Sequence, residues 1–297
     1  MRVRTRLERL AGPSAVAIGN FDGFHAGHRR IIETLVATAR SQNLGAVALS
    51  FHPHPRVFFG QDIRLISTDA QRLECLKRQA LDRLFFIDFA TVAACPARDF
   101  VTDILLDTLR SRVLVVGGDF RFGRDREGDL ACLQREAAGR FTLIQAPDVE
   151  IDGCRVASSL IRKLLAAGAV RQAGRLLEKP YFIDGTVEHG AGRGRAIGYP
   201  TLNIASENAI LPPGVFHTRV DLSGRSFPAL TNIGCAPTFG QVLRGPRVET
   251  HVPGFHGMVY GRKVRLHFID KIRDERKFAG AAELAEQIRR DIASLGI

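Results

Sequence analysis

Short apolar, β-rich stretches alternate with amphipathic helical ones up to about residue 182, and this alternation most constrains the fold. Ser14–Gly19 (SAVAIG), Ala46–Phe51 (AVALSF), Leu84–Phe89 (LFFIDF), Val113–Val116 (VLVV) and Phe141–Gln145 (FTLIQ) read as strands. Helical patterns lie between them, at His28–Gln42, Asp69–Leu81 and Asp99–Arg110. Strands that are apolar almost throughout, each followed by a helix, predict an α/β domain whose parallel sheet is covered on both faces. Ligands of such sheets bind beyond the carboxyl ends of the strands.

The pattern then changes. Helical character stops near Leu177, and Lys179-Pro180 breaks it. Phe182–His189, Arg195–Ile204, Val215–Leu222, Phe227–Ile233, Arg247–His251 and Val264–Ile269 are short strand candidates separated by Gly, Pro and Asn turns. They predict an all-β barrel or sandwich, and Phe278–Ala293 predicts one closing amphipathic helix. The boundary falls at about residue 182, dividing residues 1–182 from 183–297.

Several function classes are disfavoured by composition. No apolar run reaches the roughly 18 residues of a membrane helix, and the basic start lacks the apolar stretch of a signal peptide. A soluble cytoplasmic protein without membrane attachment is expected. Five scattered cysteines (Cys75, Cys95, Cys132, Cys154 and Cys235) form no CxxC pair, which argues against a disulfide framework or zinc site. The net charge of +11 raises the possibility of nucleic acid. The excess is spread evenly, however, with 27 basic against 20 acidic side chains in residues 1–182 and 15 against 11 in 183–297. RNA binding would call for an exposed aromatic stripe for base stacking, yet the chain has no Trp, three Tyr, and Phe residues mostly within apolar strand patterns.

The most informative segment is GNFDGFHAGHRRII, Gly19–Ile32, which follows the first strand and opens the first helix. Gly19, Gly23 and Gly27 permit a tight turn close to a ligand, and the helix N-terminus favours phosphate. His25 and His28, three apart at that entrance, can donate hydrogen bonds to phosphate oxygens. A metal pair is disfavoured because no carboxylate or thiolate cluster accompanies them.

The string GNFDGxHxGH resembles the adenylyltransferase module of the bacterial bifunctional riboflavin kinase/FAD synthetase family, related to nucleotidylyltransferases of Rossmann-like fold. SFHPHPRV (Ser50–Val57), VVGGDFRFGRDREGD (Val115–Asp129) and ASSLIRKLL (Ala157–Leu165) resemble three further family segments, in order and at strand ends. The resemblance implies that His25 and His28 act on the ATP phosphates and that Ser158, Ser159 and Arg162 clamp the pyrophosphate. It implies nucleotide binding at Gly19, Asn20, Phe21, Asp22, Gly23 and Gly27, and flavin binding at His54, Pro55, Asp119, Phe120, Arg121 and Phe122. Departures are Ala157 and Ser159 for the first Ser and the Thr of SSTxIR, His52 for Asp, and Gly118 for Glu.

The second part carries its own set. GTVEHGAGRGRAIGYPTLNI (Gly185–Ile204) resembles the family's flavokinase string, with PPGVFHTRV (Pro212–Val220), NIGCAPTFG (Asn232–Gly240) and VETH (Val248–His251) following. Thr201 and Asn203 are spaced to project from one face of a strand, and their oxygens suit Mg²⁺. The resemblance implies a barrel with Thr201 and Asn203 as metal ligands, Glu249 as catalytic base, and Gly194 and Arg195 at the nucleotide. It places Arg273, in KIRDERKF, at the flavin or nucleotide, while Gly254 stands where Asp is common. The implied reactions are phosphorylation of riboflavin to FMN and adenylylation of FMN to FAD, with ATP as co-substrate and Mg²⁺ as cofactor. A chain retaining only one activity is the alternative within that family. The oligomeric state is not expressed in any motif.

Overall fold

The computed structural model describes residues 1–190, 192–234 and 246–294. Chain contacts divide the protein into two compact units, Met1–Ala157 and Ser158–Ile297. Helices Ser158–Ala166 and Val170–Leu177 therefore group with the second unit, ahead of the change in sequence texture near residue 182.

In the first unit, β1 (Arg2–Arg4), β2 (Ser14–Ile18), β3 (Gly45–His52), β4 (Arg83–Asp88), β5 (Ser111–Val116) and β6 (Thr142–Gln145) form one sheet. Their order is β1-β4-β3-β2-β5-β6 and every neighbouring pair is parallel. The helices are α1 (Ala26–Ser41), α2 (Pro55–Phe58), α3 (Asp69–Lys77), α4 (Ala97–Asp99, continuing into a π-helical segment Phe100–Thr108) and α5 (Leu130–Ala137). A small hairpin, β7 (Glu150–Ile151) with β8 (Cys154–Arg155), closes the unit.

Side-chain alternation gives the two faces of the sheet different sizes. Ala15, Ala17, Ala46 and Ala48 face Ile32, Leu35 and Ala39 of α1, so that helix can lie close to the strands. Val16, Ile18, Val47, Leu49 and Phe51 face the opposite way, against Phe100, Val101, Leu105 and Leu109. Both faces are covered, which is why all five residues of β2 are buried. From β2 the chain passes outward through β3 and β4, then returns to β5 on the other side of β2. The order therefore reverses between β2 and β5, the position where doubly wound sheets bind ligands.

In the second unit, α6 (Ser158–Ala166) and α7 (Val170–Leu177) precede a closed barrel. Its strands are β9 (Phe182–Glu188), β10 (Thr201–Ser206), β11 (Gly214–Leu222), β12 (Arg225–Gly234), β13 (Arg247–His251) and β14 (Lys263–Arg273), ordered β10-β13-β12-β11-β14-β9 with all described pairs antiparallel. A short helical turn, α8 (Arg193–Ala196), precedes β10, and α9 (Ala281–Ala293) follows the barrel. Arg171 of α7 pairs with Asp270 at 2.6 Å, and the Lys271 ammonium donates to the Ala167 carbonyl at 3.3 Å.

Ile183, Phe216, Val220, Leu266 and Phe268 fill the barrel interior. Three buried hydroxyls cross it as a chain, Thr218 to Thr231 at 2.8 Å and Thr231 to Thr250 at 2.9 Å. The mutual bonding satisfies groups that would otherwise be costly in an apolar core. On the outer face, Val215 and Leu230 receive Ile288 and Ile292 of α9.

The expected strand over Arg195–Ile204 is shorter than the sequence suggested. Residues Arg193–Ala196 make a helical turn, Gly198 has φ +87° and Pro200 follows, so the ladder starts only at Thr201. The closing helix starts at Ala281, not Phe278. Cys235 and residues 235–240 of the NIGCAPTFG segment lie outside the described residues.

Candidate active sites

The loop leaving β2 lies at the reversal point of the sheet. Phe21 and Phe24 are buried with positive φ (51° and 45°), which folds the loop back over the core and leads into α1. His25 caps that helix, its Nδ1 accepting from the His28 amide at 3.3 Å. A ring nitrogen that accepts is unprotonated, so the proton of the neutral ring sits on Nε2. The two imidazoles stack with centroids 3.7 Å apart at 17°, and Phe21 meets His28 edge-on at 5.4 Å. A side chain at Gly27 would press on the His25 ring at 3.2 Å, so glycine there permits the pairing. His25 and His28 are thus fixed together at the positive end of a 16-residue helix.

Asp22 is buried. Its carboxylate accepts from the Ile66 amide at 3.1 Å, the Ser67 amide at 3.0 Å and the Ser67 hydroxyl at 3.1 Å. It pins the loop to the 66–67 segment. Gly19 donates its amide to Leu49, and Gly23 donates to the Ser67 hydroxyl. The Asn20 carbonyl accepts from Arg72 at 2.8 Å.

Arg72 was not singled out by the sequence, where it looks like one more basic residue on an amphipathic helix. Its side chain is 0% exposed. Besides Asn20, it donates to the Phe51 carbonyl at 2.9 Å and the Asp69 carboxylate at 2.6 Å, with the guanidinium 5.1 Å from the Phe86 ring centre. One cation therefore ties the carboxyl ends of β2 and β3 to α3.

After β3, His54 is buried and caps α2, accepting from the Arg56 amide at 3.1 Å, and Pro55 opens that helix. The loop after β5 holds Asp119 and Arg121 exposed and Phe120 half-buried. Phe122 instead enters the core, stacked on Phe120 at 5.6 Å and tilted against Phe100. Arg121 pairs with Asp129 at 3.1 Å, and the Cys132 amide with Arg121 beside it holds the Asp129 carboxyl below the usual range. Ser158, Ser159 and Arg162 lie on the first turns of α6, in the second unit.

On the barrel, register defines a second cluster. Asn203 of β10 pairs with Glu249 of β13, and Glu249 pairs with Asn232 of β12. Directly opposed residues share a face with Cβ atoms about 4.5–5.5 Å apart, so these three side chains form one row on the outer face. Thr201 lies two residues from Asn203, opposite His251, whose Nδ1 donates to the Pro200 carbonyl at 2.8 Å. Gly190 runs so close to Asn203 that a methyl group there would overlap its amide, and one on Gly194 would overlap the Tyr199 carbonyl. The glycine loop thus lies against the proposed metal-side residues. Gly194 and Arg195 belong to α8, with Arg195 exposed. The Arg273 guanidinium grips Asp291 of α9, 3% exposed, at 2.8–3.2 Å through both oxygens.

Family models match the chain over two successive segments, FAD synthetase over residues 8–160 and riboflavin kinase over residues 177–296. A protein named bifunctional riboflavin kinase/FMN adenylyltransferase from Bacillus subtilis is 33% identical over 285 residues, 94% of this chain and 90% of its own. Proteins of the same name from Pseudomonas fluorescens and Escherichia coli are 37% and 35% identical, each covered to 93% of this chain and 90% of its own. The chain belongs to the bifunctional riboflavin kinase/FMN adenylyltransferase family. A crystal structure described as a macrolide-efflux protein from Streptococcus pneumoniae shares the fold at TM-score 0.87 and 28% identity, covering 98% of this chain and 97% of that one. Among the described residues, no helix is long and apolar enough to cross a membrane. The α/β unit followed by a barrel and a closing helix is the architecture the family resemblance implied.

Proposed function

We propose that the barrel unit phosphorylates riboflavin to FMN around Glu249, and that the α/β unit adenylylates FMN to FAD around His25 and His28. The observation that supports this most is the pairing of two dissimilar clusters with two successive family segments, a histidine pair at a helix N-terminus and a carboxylate flanked by amides on a barrel.

The two reactions make different demands. In adenylylation the nucleophile is the FMN phosphate, largely ionised near neutral pH because its second pKa is about 6. It attacks the α-phosphorus of ATP and pyrophosphate leaves, so positioning and charge stabilisation suffice. His25 and His28 supply donors at the dipole-positive end of α1. The motif alone assigns Ser158, Ser159 and Arg162 to the departing pyrophosphate. His54 and Pro55, with Asp119, Phe120 and Arg121, are the flavin-side candidates.

In phosphorylation the nucleophile is a neutral ribityl hydroxyl, and a base is useful. Glu249 takes that proton as the oxygen attacks the γ-phosphorus of ATP and the bond to the β,γ-bridging oxygen breaks, releasing ADP. The Thr201 hydroxyl and Asn203 amide oxygen, hard donors beside a carboxylate, fit Mg²⁺. Bound there with ATP, the ion would neutralise charge on the phosphates. Residues 1–182 and 183–297 remain the proposed functional division.

Purified protein given riboflavin, ATP and Mg²⁺ should form FMN first and FAD later, resolved by chromatography. Absence of both products would overturn the assignment.

A further inference from the structure

The row on the outer barrel face holds one residue that no assigned role uses. Asn232 lies directly opposite Glu249, on the side away from Asn203. Its side-chain carbonyl oxygen is buried and has no hydrogen-bond partner. A buried amide oxygen without a partner costs free energy, and such an atom needs a specific explanation, a functional role among them. Thr231 and Thr250, the neighbours on the other face of the same strands, satisfy each other at 2.9 Å. The orphan is therefore confined to the face that carries the base.

The order along the row decides what that role is. Asn203 stands at the metal and phosphate side, Glu249 at the attacking hydroxyl, and Asn232 one strand further on. In an in-line transfer, what lies beyond the attacking oxygen is the chain that carries it. We propose that Asn232 is a positioning residue for the kinase reaction, its side-chain oxygen accepting a hydrogen bond from a hydroxyl of the ribityl chain of riboflavin. This deepens the function proposed above and rests on the barrel unit being the kinase.

The test compares Asn232→Leu, which removes the acceptor, with Asn232→Asp, which keeps an oxygen in place. KM for riboflavin and KM for MgATP are measured separately in FMN formation, with FAD formation from supplied FMN as a control on the other unit. Loss of one hydrogen bond should raise the riboflavin KM roughly tenfold in the leucine variant. The MgATP KM should stay within about twofold, and the aspartate variant should restore most of the riboflavin affinity. A leucine variant with unchanged riboflavin KM, or with both KM values raised equally, would overturn the role. If leucine prevents folding, Asn232→Ser, whose oxygen is withdrawn from the row, carries the same comparison. Wild-type protein that forms no FMN would sink the kinase reading itself, a result distinct from an unaltered variant of an active enzyme.

Discussion

Replacing Arg72 with Met tests whether the adenylyltransferase loop depends on a buried cation beneath it. Methionine fills similar volume, so the loss is mainly polar. Two backbone carbonyls, Asn20 and Phe51, lose bonds from a charged donor. Each such bond contributes about 1.5–3 kcal/mol. The Asp69 pair adds little, about 0–1 kcal/mol, because that carboxylate is 48% exposed and returns to water. Removing the charge also removes its desolvation cost, which offsets part of the loss. A net destabilisation of about 2–4 kcal/mol follows, or roughly 5–15 °C in the unfolding temperature of the first unit. Because Asn20 begins the loop that carries His25, FAD formation from FMN should fall more than tenfold, while FMN formation from riboflavin, read in the same sample, should persist. Arg72→Lys can reach one carbonyl but not both and should fall between. Unchanged unfolding and FAD formation in the methionine variant would refute the reasoning, as would parallel loss of both activities.

Other substitutions separate the two sites. His28→Ala should stop FAD formation yet let FMN accumulate, and Glu249→Ala should abolish FMN formation while FAD still forms from supplied FMN, both read by chromatography. Gly190→Ala should displace the Asn203 amide and lower kinase turnover more than tenfold with adenylylation intact. Burial pushes the His217 imidazole below its usual pKa, with Arg219 adding to this and Asp270 opposing it. The folded unit then binds fewer protons than the unfolded chain, so this contribution is present above about pH 6.5 and lost as pH falls through the lower folded value. His217→Asn should therefore flatten the acid-side decline of barrel stability in denaturant titrations at pH 5 to 7.

What could be read from the chain was whatever depends on local pattern. Strands such as Arg247–His251 and the helix over Asp69–Lys77 follow from periodicity, and the motif loops fall at strand ends because glycine and capping residues act locally. Burial of polar groups did not follow. Asp22 belongs to a motif that suggests a ligand, yet three donors from residues 66–67 occupy it, brought there by tertiary folding. Phe122, within GDFRFG, goes to the core, and Arg273 grips Asp291 at the far end of α9. Arg72 gave no signal at all, since nothing in an amphipathic pattern marks which arginine will be covered. Edge pieces of two or three residues, β1 and the β7–β8 hairpin, are too short for any period to register.

The architecture of each unit suits the nucleophile it serves. An ionised phosphate needs no proton removed, only several donors converging from one direction, and a loop capped by a helix provides amides, dipole and two stacked imidazoles together. A hydroxyl needs its proton taken by a base held at a set distance from the phosphate-binding groups. Barrel strands suit that, because the proposed base Glu249 and its neighbours Asn203 and Asn232 are spaced by hydrogen-bonded register and not by loop conformation. The interior beneath the row is locked by the Thr218–Thr231–Thr250 chain, which resists sliding of β11, β12 and β13 past one another. Gly190 and Gly194 let the backbone run against Asn203 and the Tyr199 carbonyl, where any side chain would collide.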